Sequence, residues 1–320
     1  MLDNVDFALR KLETSRLSMV ASVTALVSHG DVDESAKEEY GTGKVILRIG
    51  NGGAGATGLI RALSEDYLTT SAREASISWV CNHSRNTQLA LLRGYVDIAL
   101  TYERDQEALS EAEGWSRTAG CVFHDHFCLA GPASDPAGIR RAASLEDAFL
   151  RIAQSASLFH SRADSSATMW KECSIWHTCK LNPWEDRGAA AWYRTSVLSP
   201  SEALTTADAA GAYLLTDRST LLRQISLQRI HNTTVFFEPT STDHVLMNSC
   251  YALIPTHMSS ERSVEVSNFL AYLFSERGQD VVGTFGSEEL GGFSLFAPVR
   301  DGFASSSLQG GLPQKGRWKS

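Results

Sequence analysis

The stretch VILRIGNGGAGATGLIRAL, residues 45–63, is the feature that most constrains the fold of this chain. It begins with a run of apolar residues rich in Val and Ile and passes through five glycines between positions 50 and 58. Apolar residues at helical intervals follow. A strand that leads through a glycine turn into a helix is the repeating unit of α/β proteins. Backbone N–H groups converge at the start of such a helix, so the junction can also hold an anion.

The glycines leave three interpretations open. Their spacing satisfies G-x-G-x-x-G twice, as Gly50-Gly52-Gly55 and as Gly53-Gly55-Gly58. A dinucleotide site needs an acidic residue at the end of the next strand to hold the ribose, and that strand ends instead in CNHSR. Arg85 could take a 2′-phosphate, which keeps an NADP-dependent oxidoreductase open. An oxyanion site needs only hydrogen-bond donors, and a plain turn needs no ligand.

Strand and helix patterns alternate after this junction. Strand patterns cover residues 44–49, 75–80, 96–102, 124–132 and 249–255, and helix patterns cover 57–68, 87–94, 144–155 and 263–282. Strand–loop–helix patterns cover 157–176 and 211–222. The alternation predicts an α/β fold with a parallel sheet and helical crossovers.

The stretch SRADSSAT, residues 161–168, favours an oxyanion over a nucleotide. Arg162 follows a predicted strand, SLFH, and Ser165, Ser166 and Thr168 lie where a helix begins, so they can cap it. Hydroxyls and free N–H groups beside a guanidinium form a site for a tetrahedral dianion. Asp164 could hold Arg162 in place or accept a proton from the ligand. A capped helix with a surface Arg–Asp pair is the alternative.

Here the chain resembles a known family. R-x-D-x-S-x-T after a strand is similar to the anion loop of periplasmic phosphate- and tungstate-binding proteins. Three further stretches resemble the tungstate-binding branch, namely HDHFCLAGPASDPAGI (124–139), AWYR (191–194) and GAYLLTDRSTLL (211–222). The likeness covers roughly residues 45–300. The glycine-rich first loop replaces the hydroxyl-rich loop of bacterial members and resembles fungal relatives.

The resemblance implies a two-lobed, type II periplasmic-binding-protein-like α/β fold with mixed sheets and a hinge. One lobe would be 44–130 with 236–300 and the other 131–235, with 1–43 as an N-terminal extension of helix and polar linker and 301–320 as a flexible tail. The ligand would lie between the lobes, and closure would hold it. The implied ligand-binding residues are Asn51, Gly52, Gly53, Thr57, Ser84, Arg162, Asp164, Ser166 and Thr168.

Asp164 would decide which anion binds. Tungstate and molybdate are fully deprotonated at neutral pH, so their site needs donors only. Hydrogen phosphate carries a proton and needs one acceptor. Asp164 turned towards Arg162 would therefore favour tungstate, and turned into the cleft it would favour phosphate. We expect a non-catalytic oxyanion-binding monomer, without a cofactor, whose membrane transporter partner the sequence does not identify.

Composition excludes several other classes of function. A net charge of −8 and the lack of a basic stripe argue against nucleic-acid binding. No run approaches the ~18 uninterrupted apolar residues of a membrane span, so we expect no membrane insertion. The six cysteines form neither a C-x-x-C pair nor a zinc spacing, so we expect no metal site. Cys173 and Cys179 could close a small disulfide loop in an exported protein.

An enzyme built on the same cleft and acting on an organic metabolite is the second hypothesis. Its polar groups would be His124, Asp125 and Arg162. Its pocket would be lined by the aromatics of the middle third, although core packing is their default role. These are Trp170, Trp176, Trp184, Trp192 and Tyr193. The compartment stays open between secreted and cytoplasmic, because residues 16–30 resemble a signal peptide only in part.

Overall fold

The computed structural model describes residues 32–302, apart from residues 73, 163 and 165, and also residue 308. The expected N-terminal helix before residue 32 and most of the expected tail lie outside the described residues. No helix in the described ranges has both the length and the apolar character that crossing a membrane requires.

The strands and helices alternate along most of the chain. The strands are β1 (Glu38–Gly41), β2 (Lys44–Asn51), β3 (Ala75–Cys81), β4 (Ile98–Thr101), β5 (Ser116–Pro132), β6 (Phe159–Arg162), β7 (Tyr193–Ser196), β8 (Leu214–Asp217), β9 (Thr233–Phe237) and β10 (Met247–Pro255). The helices are α1 (Gly53–Thr57), α2 (Leu59–Ser71), α3 (Ser84–Leu92), α4 (Arg104–Ala112), α5 (Leu145–Gln154), α6 (Ala167–Thr178), α7 (Pro200–Ala210), α8 (Arg218–Ser226), α9 (Ser260–Phe274) and α10 (Glu276–Thr284).

A mixed sheet organises the molecule. Its strand order is β1-β3-β2-β4-β10-β5-β8, with β9 paired to β5, and β6 and β7 form a separate parallel pair. Strand β2 runs parallel to β3 and to β4, as the alternating pattern predicts, with α2 and α3 as crossovers. Strand β10 runs antiparallel to β4 and β5, so the sheet as a whole is mixed.

The long strand β5 connects two apolar cores. Its first part pairs with β10 and its last part with β8 and β9. The larger core contains Leu47, Ile49 and Phe123, and the second contains Phe149 and Trp176. Trp184, Trp192 and Tyr193 also pack on this second core, and Trp170 lies in a smaller buried cluster, so core packing is confirmed for all five middle-third aromatics. The lobe boundaries near 130 and 235 stay a prediction.

Two segments differ from the sequence-based expectation. Residues 38–41 of the expected polar linker form β1, because Tyr40 is buried against the sheet while its neighbours stay more exposed. The expected single helix over 263–282 is two helices that meet at Ser275. The Ser275 hydroxyl donates to the Tyr272 carbonyl at 2.6 Å and accepts from the Gly278 amide at 3.2 Å, which ends one helix and caps the next.

Packing explains part of the glycine content at 50–58. A Cβ atom on Gly55 would lie 2.1 Å from the Trp79 ring, and one on Gly52 would lie 2.9 Å from the Asn82 carbonyl oxygen. Gly58 has a φ of +97°, where a side chain would be strained. Around Gly53, by contrast, no described atom lies within 4 Å of the added Cβ. The plain-turn interpretation therefore accounts for several of these glycines.

The cysteines of the described part are free thiols. Cys173 packs with Met169 and Trp170, while Cys179 Sγ lies 3.6 Å from the Glu146 carbonyl oxygen. The disulfide alternative for Cys173 and Cys179 is not formed in this structure.

Candidate functional site

A cleft of about 500 Å³ opens where several strands end. Its walls come from the segments that follow β2, β3, β4, β6, β7 and β8, together with Asp33 before β1 and single residues of β5 and β10. The carboxyl ends of strands are where open α/β sheets bind their ligands. The glycine junction and the segment after β6 are two separate stretches of the sequence. In the structure both border this one cavity.

Four helices of nine or more residues begin at this cleft. Lining residues at their N-termini are Ser84 for α3, Ser166 and Ala167 for α6, Ser199 and Pro200 for α7, and Asp217 and Ser219 for α8. A helix N-terminus carries roughly half a positive charge and unpaired N–H groups. The first turns of α3 and α6 contain no acidic residue. These ends contribute partial positive charge to a cleft whose lining also contains the carboxyl groups of Asp33, Asp125, Asp164 and Asp217.

Arg162 supplies a full positive charge to the cleft. It ends β6 and is only 6% exposed. Its Nη2 pairs with the Asp164 carboxylate. Its buried Nε has no hydrogen-bond partner in the described ranges, which exclude residues 163 and 165. Leaving such a donor unpaired costs free energy, so a ligand that accepts from it would stabilise the site.

Asp164 is turned towards Arg162 and the start of α6. Its Oδ1 accepts hydrogen bonds from the Ser166 amide at 3.0 Å and the Ser166 hydroxyl at 2.5 Å. Its Oδ2 lies 3.7 Å from His83 Nε2, which reaches over from the loop after β3. Burial lowers the pKa of His83 more than the Asp164 charge raises it, so the imidazole is neutral at neutral pH.

The residues predicted from the glycine loop divide into two groups. Gly52 and Gly53 line the cleft. Asn51 is fully buried beneath it, where its side chain accepts from the Gly55 amide at 2.9 Å and donates to the Leu100 carbonyl at 2.9 Å. Thr57 is outside the lining, and its hydroxyl bonds the Ala54 carbonyl within α1. Asn51 and Thr57 therefore shape the loop.

The residues predicted from the later segments lie in the lining. Ser84, Arg162, Asp164, Ser166 and Thr168 all border the cleft. The Ser166 hydroxyl also accepts from the Met169 amide at 3.3 Å, so it caps α6 as the sequence indicates.

Of the residues named for an enzyme, Asp125 and Arg162 share the cleft and His124 does not line it. His124 Nδ1 lies 2.7 Å from the Ser249 hydroxyl, and its backbone pairs with Ala297. Neighbouring residues of a strand point to opposite faces, which separates His124 from Asp125.

Arg85, the residue on which the NADP interpretation depends, lies outside this lining. Its Nε donates to Glu103 Oε2 at 2.8 Å, and its guanidinium stacks on the Trp170 ring at 3.3 Å. The guanidinium is thus engaged by two side chains within the protein. The stack also joins α3 to α6 beside the cleft.

A buried polar group, His126, Cys128 and Glu238, lies where β5 meets β9. Its ligating atoms are all within 4.8 Å of one another. The guanidinium of Arg218 interacts electrostatically with both Cys128 and Glu238. This positive charge opposes a cation, so the group is interpreted as a polar part of the core.

Several residues that line the cleft are not predicted as site residues from the sequence. They are Asn82, His83, Tyr102, Val197, Leu198, Ser199, Pro200, Asp217, Ser219 and Asn248. The segment SPSE, residues 199–202, carries a detectable signal, because Ser, Pro and Glu at these spacings mark a helix start with a capping box. Asn248 and Tyr102 carry none, since only the folded sheet brings them to the cleft.

Comparison with known proteins identifies the family. A family model described as PBP superfamily domain matches residues 36–277. The chain belongs to the PBP superfamily. This assignment, together with the structural match given below, confirms the periplasmic-binding-protein-like fold that the resemblance implies.

Two relatives of this PBP-superfamily chain are informative. A Haloferax volcanii protein, provisionally named an ABC transporter anion-binding protein, is 30% identical over 208 residues. That match covers 64% of this chain but only 58% of the relative, so the chain spans less than two thirds of its length. The tungstate-binding protein TupA of Peptoclostridium acidaminophilum is 24% identical over 295 residues, which is 89% of this chain and 96% of TupA.

A solved structure supports the same assignment. A periplasmic protein provisionally described as metal binding matches with a TM-score of 0.73 and 28% identity. The match covers 85% of this chain and 100% of that protein. The likeness to fungal relatives stays a prediction.

Proposed function

We propose that this protein binds a small tetrahedral oxyanion in the cleft without altering it chemically. The observation that carries the proposal is the buried guanidinium of Arg162, whose Nε is unpartnered in the described ranges, at a cleft where four helices begin. An anion in the cleft would accept hydrogen bonds from the guanidinium and from the N–H groups of the helix N-termini together. The names of the two relatives, one anion-binding and one tungstate-binding, support the same class of ligand.

Among oxyanions, tungstate and molybdate rank before phosphate and sulfate. Asp164 is the acceptor that hydrogen phosphate would need. Its Oδ1 accepts from Ser166, and its Oδ2 is ion-paired with Arg162 but has no hydrogen-bond partner in the described part of the chain. A carboxylate held by this ion pair offers less to a ligand proton than one turned into the cleft. A fully deprotonated anion needs no acceptor and meets donors from Arg162 and the helix starts.

Cleft closure over the anion is part of the proposal. His83 and Asp164 approach each other from different walls, and Arg85 stacks on Trp170 nearby. An anion that contacts both walls only in the closed form would favour that form by the difference in affinity. The natural partner of such a receptor is a membrane transporter, as the relative's name suggests.

Thermal unfolding in the presence of sodium tungstate, molybdate, phosphate and sulfate tests the function. An anion at 100 times its Kd stabilises the folded state by about 2.7 kcal/mol, which is a rise in Tm of several degrees over a sodium chloride control. Arg162→Ala should lose this rise. Arg151→Ala, which removes a partly exposed arginine paired with Asp147, is the matched control and should retain it.

The enzyme hypothesis keeps one favourable observation. A cleft of about 500 Å³ has the size of pockets that hold small organic molecules and exceeds the needs of a four-oxygen anion. If no oxyanion raises the Tm and a larger organic anion does, the oxyanion proposal is wrong and this alternative gains. Asp125 and Arg162 would then be its first polar groups.

A further inference from the structure

Two carboxyl groups meet in the wall of the cleft. Asp125 on β5 and Asp217 at the start of α8 both line it, and each is less than 10% exposed. The hydroxyl oxygen of Ser219 lies between them, 2.7 Å from Asp125 Oδ2 and 2.9 Å from Asp217 Oδ1. Ser219 itself is 1% exposed.

An extra proton on the pair would let both of these short contacts be full hydrogen bonds. A serine hydroxyl has a single hydrogen, so it can donate to only one carboxylate oxygen. The other contact is a hydrogen bond only if that carboxyl group carries a proton and donates to the serine oxygen. Two ionised carboxylates around one buried hydroxyl would also repel each other.

Burial and the neighbouring carboxylate, rather than the surrounding donors, place the proton on Asp125. Asp217 Oδ1 accepts from the Thr220 amide at 2.8 Å as the N-cap of α8. Asp125 Oδ2 has the Ser219 hydroxyl as its partner, and Oδ1 accepts from the His126 amide at 2.8 Å and the Ser219 amide at 3.3 Å. Burial and the nearby charge of Asp217 raise the pKa of Asp125 to about 8.

The other titratable groups around the pair are Tyr102 after β4, His126 and Cys128 on β5, Cys250 on β10 and Arg218 on α8. Burial raises the pKa of the tyrosine and the two cysteines and lowers that of His126, so these four are uncharged at neutral pH. Arg218 lowers the pKa of Asp125, but less than burial and Asp217 raise it. The pair thus carries a single negative charge at neutral pH.

We propose that Asp125 and Asp217 share one proton and that this proton allows the cleft to accept a fully charged oxyanion. The inference rests on the proposed oxyanion-binding function and adds its regulation by pH. With the proton present, the anion faces one charged carboxylate from this pair. Without it, the anion faces two, and their repulsion weakens binding. Asp125 therefore determines the specificity for fully charged anions. It acts through its charge and contacts Ser219 in the wall of the cleft.

Linkage fixes the sign of the pH effect. Above about pH 8 the free protein has lost the proton and must regain it to bind the anion. The affinity therefore falls with rising pH, and the fall approaches tenfold per pH unit. Reciprocally, the anion raises the affinity of Asp125 for its proton. Binding above pH 8 must then take up as much as one proton.

Calorimetric titration with sodium molybdate from pH 6.5 to 9.5, in buffers of different ionisation enthalpy, measures both effects. Wild-type protein should bind about equally below pH 7.5, weaken above pH 8 and take up a proton there. Asp125→Asn, a permanently uncharged isostere, should bind at pH 7 with a flat profile and no uptake. Glu172→Gln is the matched control. It alters another buried carboxyl with a pKa near 8 outside the lining, and it should behave as wild type.

The outcomes are separable. Tight molybdate binding with a flat wild-type profile and no proton uptake would overturn the shared proton and leave the oxyanion function standing. Absence of tungstate and molybdate binding at every pH would overturn the function itself. If Asp125→Asn does not fold, carboxyl carbon chemical shifts of the unliganded wild type decide. A titration of Asp125 near pH 4 contradicts the inference, and one near pH 8 supports it.

Discussion

At the scale of single residues, burial sets the ionisation of several side chains. Glu172 on α6 is 2% exposed, and its Oε1 lies 2.8 Å from the Tyr193 hydroxyl. Burial raises the pKa of Glu172 to about 8, because a charge in an apolar environment is unfavourable. The carboxyl is therefore protonated in the folded protein under conditions where it is ionised in the unfolded chain.

This difference predicts a pH dependence of stability. The pKa of an unfolded glutamate is about 4.3, so the folded protein holds an extra proton between that value and about pH 8. The free energy of unfolding should fall as pH rises through this window, by about 1.4 kcal/mol per pH unit for each such group. Urea unfolding at several pH values from 5 to 8 measures this slope. In Glu172→Gln the part of the slope that comes from Glu172 should be absent.

The exposed Glu288 offers a control for this experiment. Glu288→Gln should leave the slope of the unfolding free energy against pH unchanged. Some slope should persist in Glu172→Gln, since Asp125 contributes in the same direction. An unchanged slope in Glu172→Gln would show that this carboxyl is ionised in the folded state.

At the scale of elements, α1 and β3 show how a glycine pattern can serve packing. The short helix lies so close to β3 that Gly55 faces the Trp79 ring without room for a methyl group. The Trp79 Nε1 also donates to the Asn51 carbonyl at 2.7 Å, which ties the loop to the strand. The G-x-G-x-x-G spacing, which resembles that of a nucleotide-binding loop, arises here from the close contact between α1 and β3.

Paired alanine substitutions test this interpretation. Gly55→Ala should lower the free energy of unfolding by about 1–3 kcal/mol, because the added methyl group overpacks the contact with Trp79. Gly53→Ala lies in the same helix beside open space and should be neutral or stabilising by up to about 1 kcal/mol. Chemical denaturation of both variants checks the difference, and equal effects would contradict it.

At the scale of the whole molecule, contacts beside the cleft hold its walls together. Arg85 and Trp170 are far apart in sequence, and their stack at 3.3 Å joins α3 to α6. Arg85 is fixed by Glu103, so the tryptophan meets a positioned cation. In the proposed closure, this stack would belong to the closed form.

Removal of the stack should weaken anion binding. A partly desolvated cation–π contact contributes roughly 0.5–2 kcal/mol, so Trp170→Ala should raise the Kd for molybdate by a factor of about 2 to 30. Small-angle scattering should show a less compact liganded state. Trp115→Ala serves as the control, because Trp115 is half-buried and bonded to Glu113. It should change neither the Kd for molybdate nor the compactness of the liganded state. If Trp170→Ala leaves the Kd for molybdate unaltered, the stack of Arg85 on Trp170 does not contribute to the proposed closure.

Local sequence patterns predicted the elements that depend on local chemistry. The strand–glycine–helix junction, the parallel β2-β3-β4 unit and the capped start of α6 follow from periodicity and capping residues. Strand β1 did not follow, because the burial of Tyr40 depends on the sheet. The break at Ser275 is set by local capping hydrogen bonds and by the close contact of Gly278 with the Tyr272 carbonyl, and the helical periodicity across it concealed the break.

By itself the sequence determined the fold class and the residue types that suit an anion, since both follow from periodicity and from donors at helix starts. Only the tertiary structure decided which of these residues share a cleft. It brings Asp125 to Ser219, 94 positions away, and turns Asp164 towards Arg162. It also leaves Thr57 and His124 outside the lining. Such choices depend on how β5 crosses between the two cores, and no local pattern encodes that crossing.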